Sequence, residues 1–168
     1  NSRNQLRFDG TVSNWIPLSG TLASYDEDVY SGVTDEFGVG DGIEEALEIA
    51  DSMYDYSQYD QDGDGIIDNL MVVFVGDTDS SNGDSDGDGN AEDIGAIWPL
   101  KWELLSPYET ADGVLAQEFF VCTEECRMGT FAHEFAHNLG LPDLYDTDYS
   151  SRGVDFWSIM ASGGHGEF

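Results

Sequence analysis

Residues 128–139 read MGTFAHEFAHNL, and Gly140 and Pro142 follow directly. Apolar Met128, Phe131, Ala132, Phe135, Ala136 and Leu139 recur at helical spacing, and a glycine with a proline behind it is a helix stop signal. The spacing therefore predicts a helix over 128–139. Upstream, residues 70–75 (LMVVFV) form a short apolar run rich in β-branched side chains, which predicts a central strand covered on both faces. Residues 118–122 (EFFVC) predict another strand. Residues 96–100 (AIWPL) hold Pro99, and residues around Trp15 hold Pro17, so both are expected at sheet edges, because proline cannot donate to a ladder. Between these, Asp41 precedes Ile43, Ala46, Leu47, Ala50 and Met53, an amphipathic series with acids in its first turn, which predicts a helix ending near Tyr56. The order of elements describes an α/β domain, one sheet with helices packed on it.

Within the 128–139 helix, His133 and His137 stand four residues apart, so one turn brings both imidazoles to the same side. Glu134 follows the first histidine, placing a carboxylate beside any metal the two rings hold. This HExxH arrangement suits zinc: the metal acidifies a bound water and polarises a carbonyl, and Glu134 relays the proton to a leaving amine, giving peptide-bond hydrolysis. Gly140 allows the left-handed turn that swings the chain back, and Asp143, three residues on, supplies an oxygen for a third ligand. The third histidine outside the helix, His165, lies in a GGHG stretch and is the rival third ligand.

Two short loops carry aspartates at alternate positions. Asp60, Asp62, Asp64, the Ile66 carbonyl and Asp68 fall at positions 1, 3, 5, 7 and 9 of a calcium loop, with Gly65 at the turn. Position 12 is Met71 rather than glutamate, and a strand follows, so the expectation is a structural calcium site anchoring that strand. Asp84, Asp86, Asp88, Asn90 and Glu92 repeat the pattern as a weaker site. The opposing reading of both loops is a flexible acidic linker.

The stretches GTFAHEFAHNLGLPDLYDTDY (129–149), DFWSIMASGG (155–164), YDQDGDGIIDNLMVVFVG (59–76) and IWPLKWEL (97–104) together resemble the immune-inhibitor-A-like secreted bacterial metallopeptidases, a group related to the metzincins. The likeness runs over residues 15–164 in the same order. It implies a metzincin-like catalytic domain: a twisted mixed sheet with a backing helix and an active-site helix, then a loop-rich lower part with a methionine turn at Met160. It also implies zinc on His133, His137 and Asp143, catalysis by Glu134, and secretion with a removable N-terminal pro-segment. Metzincins commonly carry a tyrosine two residues after that methionine; here the position is Ser162, so the resemblance assigns no oxyanion tyrosine, and neither Tyr145 nor Tyr149 holds that place in the pattern.

Composition narrows the partners. Five basic residues against 35 acidic ones give a formal net charge of -30 at pH 7, which repels nucleic-acid backbones and anionic lipid surfaces. No apolar run reaches the length of a membrane helix. The expectation is one extracellular catalytic domain over residues 1–168, without its C-terminal continuation, acting on protein or peptide substrates laid along residues 97–100. The rival readings are a non-catalytic calcium-loaded binding module with a relic zinc site and a zinc amidase or deacetylase. Cys122 and Cys126, the only cysteines, are either bridged or two free thiols.

Overall fold

The strand that both layers of the domain share is β3 (Leu115–Thr123). Phe119, Phe120, Val121 and Cys122 are all buried, and successive side chains of a strand point to opposite faces. Phe119 and Val121 join Ile43 and Leu47 of α1 (Val39–Ala50) in the main core cluster. Phe120 packs edge-on against Phe131 and Phe135 of α2 (Met128–Asn138), with ring centroids 5.5 and 6.0 Å away. The computed structural model describes residues 10–22, 25, 38–76, 97–148 and 150–165, and the statements below concern those residues.

The sheet has the order β1-β3-β2. β1 (Met71–Phe74) runs parallel to β3, with Met71 opposite Phe120 and Phe74 opposite Thr123. β2 (Leu100–Glu109) runs antiparallel to β3, pairing Leu100 with Val121 and Glu109 with Leu115. The mixed α/β sheet with two helices agrees with the class expected. Its order does not: the strand covered on both faces is β3, while β1 flanks it and leaves Val73 and Val75 exposed. An apolar run announces burial but not position in a sheet, because position depends on which strands pair with it.

Three boundaries also move. β2 begins after Pro99, where the first free N–H becomes available, and continues ten residues to Glu109; Pro107 sits where the register shifts between Glu103 and Tyr108. The edge strand is thus residues 100–109, not 97–100. α1 starts at Val39, with Gly38 N–H donating to Asp41 Oδ2 at 2.7 Å, and stops at Ala50 rather than near Tyr56. At its end the Asp51 carboxylate accepts the Ala111 N–H at 3.0 Å and the Tyr108 hydroxyl at 3.3 Å, which ties the helix end to the β2–β3 hairpin. Met53 is accordingly exposed, and Asp55 caps a new 3₁₀ turn, Tyr56–Tyr59. Residues 10–22 form no strand. Their backbone is held instead by side chains, Ser19 N–H to Glu45 at 2.6 Å and Asn14 N–H to the Tyr54 hydroxyl at 3.3 Å.

Close packing at the foot of α2 depends on one glycine pair. A Cβ at Gly129 would collide with the backbone carbonyl of Gly164, so this contact holds the helix against the C-terminal loops. Gly40, inside α1, has nothing within 4 Å of its would-be Cβ. Gly129→Ala is therefore expected to cost about 1–3 kcal/mol of stability, whereas Gly40→Ala should be neutral or stabilise by up to about 1 kcal/mol; urea unfolding of both variants checks the contrast.

Candidate metal centre

The turn after α2 creates the site. Leu139 closes the helix, and Gly140 takes φ +79°, a conformation that favours glycine, with its N–H bonded to the His137 carbonyl at 2.9 Å. The chain thereby folds back over its own helix, and the Leu141 carbonyl meets His137 Nδ1 at 2.8 Å. A second segment passes beneath, and the Ile159 carbonyl meets His133 Nδ1 at 2.7 Å. A backbone carbonyl can only accept, so both Nδ1 atoms carry a proton, which in the neutral rings leaves both Nε2 atoms with a lone pair. Those Nε2 atoms lie 3.3 Å apart.

Asp143 completes the group. Its Oδ1 lies 3.1 Å from His133 Nε2 and 3.4 Å from His137 Nε2, and it is buried without a hydrogen-bond donor. The three donor atoms thus face one another across a triangle of 3.1, 3.3 and 3.4 Å. Tetrahedral zinc with bonds of about 2.0 to 2.2 Å spaces its ligand atoms roughly 3.3 to 3.6 Å apart, so the donor set fits a zinc ion by chemistry and by size. The segment carrying Asp143 is fixed on both sides: Leu144 N–H donates to the Met160 carbonyl at 2.7 Å, and Val154 N–H donates to the Leu144 carbonyl at 3.2 Å. Met160 itself is buried beneath.

Glu134 is also buried, with Oε1 4.0 Å from His133 Nε2. Burial first, then the negative charge of Asp143 and the neighbouring Cys126, pushes its carboxyl up to about 7, against the pull of a hydrogen bond from the Lys101 backbone N–H. Cys122 and Cys126 are free thiols whose Sγ atoms lie 2.9 Å apart, with Cys122 holding the shared proton. The hydrogen bond and burial push the Cys122 thiol well up. The site opens into a cleft of about 900 Å³ whose walls include Trp98, Lys101 and Trp102 on one side and Tyr145, Arg152 and Phe156 on the other.

Of the residues read from sequence, His133, Glu134, His137 and Asp143 come together here. Asp60, Asp62 and Asp64 bring one carboxylate oxygen each within 4.8 Å of one another in their own loop. Asp60 accepts N–H bonds from Gly63, Asp64 and Gly65, Asp68 accepts one from Gln61, and Gly65 takes φ +87°. Beside it Ile66 bridges to Leu115 of β3, which joins the loop to the sheet. Asp84, Asp86, Asp88, Asn90, Glu92, Tyr149 and the imidazole of His165 lie outside the described residues. The carbonyls of Leu141 and Ile159 and the Lys101 N–H carried no sequence signal, since backbone groups are the same at every position.

The family described as immune inhibitor A peptidase M6, catalytic domain, matches residues 1–167. The chain belongs to this family. Among curated relatives, immune inhibitor A of Bacillus thuringiensis subsp. alesti is 33% identical over 184 residues, covering 92% of this chain and 26% of that protein. The pre-pro-metalloprotease PrtV of Vibrio cholerae serotype O1 (strain M66-2) is 30% identical over 193 residues, 96% of this chain and 20% of that protein. The chain thus spans about a quarter or less of the length of these relatives. Membership of the M6 family makes this a metallopeptidase catalytic domain, for which a metal, with zinc the natural candidate, is implied. If Asp143 is the third ligand of this M6 domain, Asp143→Ala should weaken zinc binding about tenfold or more, while His165→Ala leaves the affinity close to that of the parent. Titration of both variants against a competing chelator measures the ranking.

Proposed function

We propose that this domain is a zinc-dependent endopeptidase, with His133, His137 and Asp143 holding the metal and Glu134 as the general base. The observation that carries the reading is the convergence of two imidazole Nε2 atoms and the buried Asp143 Oδ1 within 3.4 Å of one another, a donor set of the type and spacing that holds zinc. When bound, zinc would supply a Lewis acid that polarises the scissile carbonyl and lowers the pKa of water. The chain's own part is to keep both Nε2 lone pairs aimed inward through the Ile159 and Leu141 carbonyls, and to hold Glu134 in a dry wall of the cleft. From there the Glu134 carboxylate takes the proton of the attacking water and hands it to the departing amine.

The outer edge of β2 is without a strand partner among the described residues, and an extended peptide can add there by backbone pairing. Lys101 N–H already reaches Glu134, so a peptide laid along residues 100–102 passes the general base. Exposed Trp98 and Trp102 offer apolar contact along the same path. Met160, buried below the ligands with its carbonyl bonded to the ligand loop, supports the metzincin-type methionine turn. The loop of Asp60, Asp62, Asp64, Ile66 and Asp68 is read as a structural calcium site that pins the approach to β1 against β3. Asp84, Asp86, Asp88, Asn90 and Glu92 are read as a second, weaker one. Likeness to a protein named a pre-pro-metalloprotease supports secretion with a removable pro-segment and protein substrates. A non-catalytic module would have no use for a carboxylate buried at the mouth of the triad.

Glu134→Ala should retain zinc and lose roughly 10²–10⁴-fold in kcat/KM, as measured by metal analysis alongside casein cleavage. A zinc chelator should abolish cleavage by the parent, and added zinc should restore it. In millimolar calcium, Asp64→Ala should lower the melting temperature by roughly 4 to 8 °C, corresponding to about 2 kcal/mol of binding linked to folding. A melt of the parent that is unmoved by a calcium-selective chelator would remove the structural role of that loop.

A further inference from the structure

We infer that Tyr145 is a positioning residue for the metal: its hydroxyl fixes which oxygen of Asp143 faces the two histidines. The inference rests on the zinc reading above. Tyr145 donates to Asp143 Oδ2 at 2.9 Å, while Oδ1 of the same carboxylate stays buried without a donor at 3.1 and 3.4 Å from the imidazole nitrogens. A carboxylate can turn about its last bond and offer either oxygen, or both. A donor on Oδ2 removes that freedom and keeps Oδ1 as the single metal-facing atom. The Tyr145 ring also lies nearly parallel to that of His133, at an interplanar angle of 20° and a centroid distance of 6.5 Å, so one side chain braces two of the three ligands.

The backbone makes this bond inexpensive in entropy. Leu144, between Asp143 and Tyr145, is bonded on one side to Met160 and on the other to Val154. The second bond needs Gly153, whose φ is +57° and whose would-be Cβ would strike the Leu144 carbonyl and come within 3.0 Å of Tyr145 Cα. Residues 144 and 145 are therefore set before any ligand binds, and only the side-chain rotor of Tyr145 remains to be ordered. A phenol has one proton to give. Tyr145 spends it on Asp143, so the hydroxyl acts through a ligand instead of on a substrate oxyanion.

The test is a double-mutant cycle on zinc affinity, read with a competing chelator on the metal-free domain, using Tyr145→Phe, Asp143→Ala and the two combined. Tyr145→Phe keeps the ring and removes only the donor. It is expected to weaken zinc roughly tenfold, and to add nothing further in the Asp143→Ala background, because its partner is then gone. In the cobalt-substituted protein the same change should shift the visible absorption bands. A tenfold loss that persists in the Asp143→Ala background overturns the inference. So does unchanged zinc affinity combined with a loss of kcat on the order of 10²-fold at saturating zinc, the signature of an oxyanion donor. If Asp143→Ala weakens zinc but Tyr145→Phe does not, this inference alone fails. If the parent takes up no zinc, the proposed function fails with it.

Discussion

The fold is organised around the convergence of three donor atoms from separate segments. Two imidazole nitrogens and a carboxylate oxygen are held within 3.4 Å of one another. The chain holds these atoms in place with groups of fixed position. The Leu141 and Ile159 carbonyls take the Nδ1 protons, the Met160 carbonyl takes the N–H beside Asp143, and the Tyr145 hydroxyl takes the spare carboxylate oxygen. Three of these four are main-chain atoms. Their positions follow from the reversal at Gly140 and from the tight passage of residues 158–164 under α2, where only Gly129 and Gly164 let the backbones approach.

Aspartates elsewhere serve a related purpose on a smaller scale. Asp60 gathers three backbone N–H groups, Asp51 joins the end of α1 to the β2–β3 hairpin, and Asp146 collects the N–H and hydroxyl groups of Ser151 with the Asp148 N–H. The hydrogen bonds to Asp146, those from Ser151 foremost, hold its carboxyl well below the usual range. Loops built this way replace regular structure where the chain must turn, since a short acidic side chain satisfies amides that no ladder reaches. They also explain why so acidic a chain can hold irregular segments in place. The negative charge has fixed local partners as well as a solvent-facing side, and in the loop at residues 60–68 it remains available to a cation.

Periodicity alone located α2, its end at Gly140, and the pairing of His133 with His137, because a helix converts spacing directly into facing. The motif spacing extended this to Asp143, and the structure brings that side chain to the two imidazoles. Runs of apolar side chains located β1 and β3 for the same local reason. What sequence did not yield is equally specific. The exchange of roles between β1 and β3 follows from strand pairing over about fifty residues of separation, as Met71 opposite Phe120 illustrates. The length of β2, with its polar and proline-containing second half, comes from the partner strand beside it, and the end of α1 is tied by the Asp51 carboxylate to a distant hairpin.

The sequence by itself therefore determined the chemistry: which side chains can bind a metal, which can move a proton, and which turn brings the chain back to them. These are properties of residue type and of spacing within one element. Tertiary structure decided how the chemistry is poised. The tautomer of each histidine depends on a carbonyl at Leu141 or Ile159, and the raised carboxyl of Glu134 depends on burial against the sheet. The oxygen Asp143 presents depends on Tyr145. Main-chain carbonyls and buried surface carry no letter in a sequence; they gain meaning only when distant segments pack, which is why the side chains that converge were legible and their supports were not.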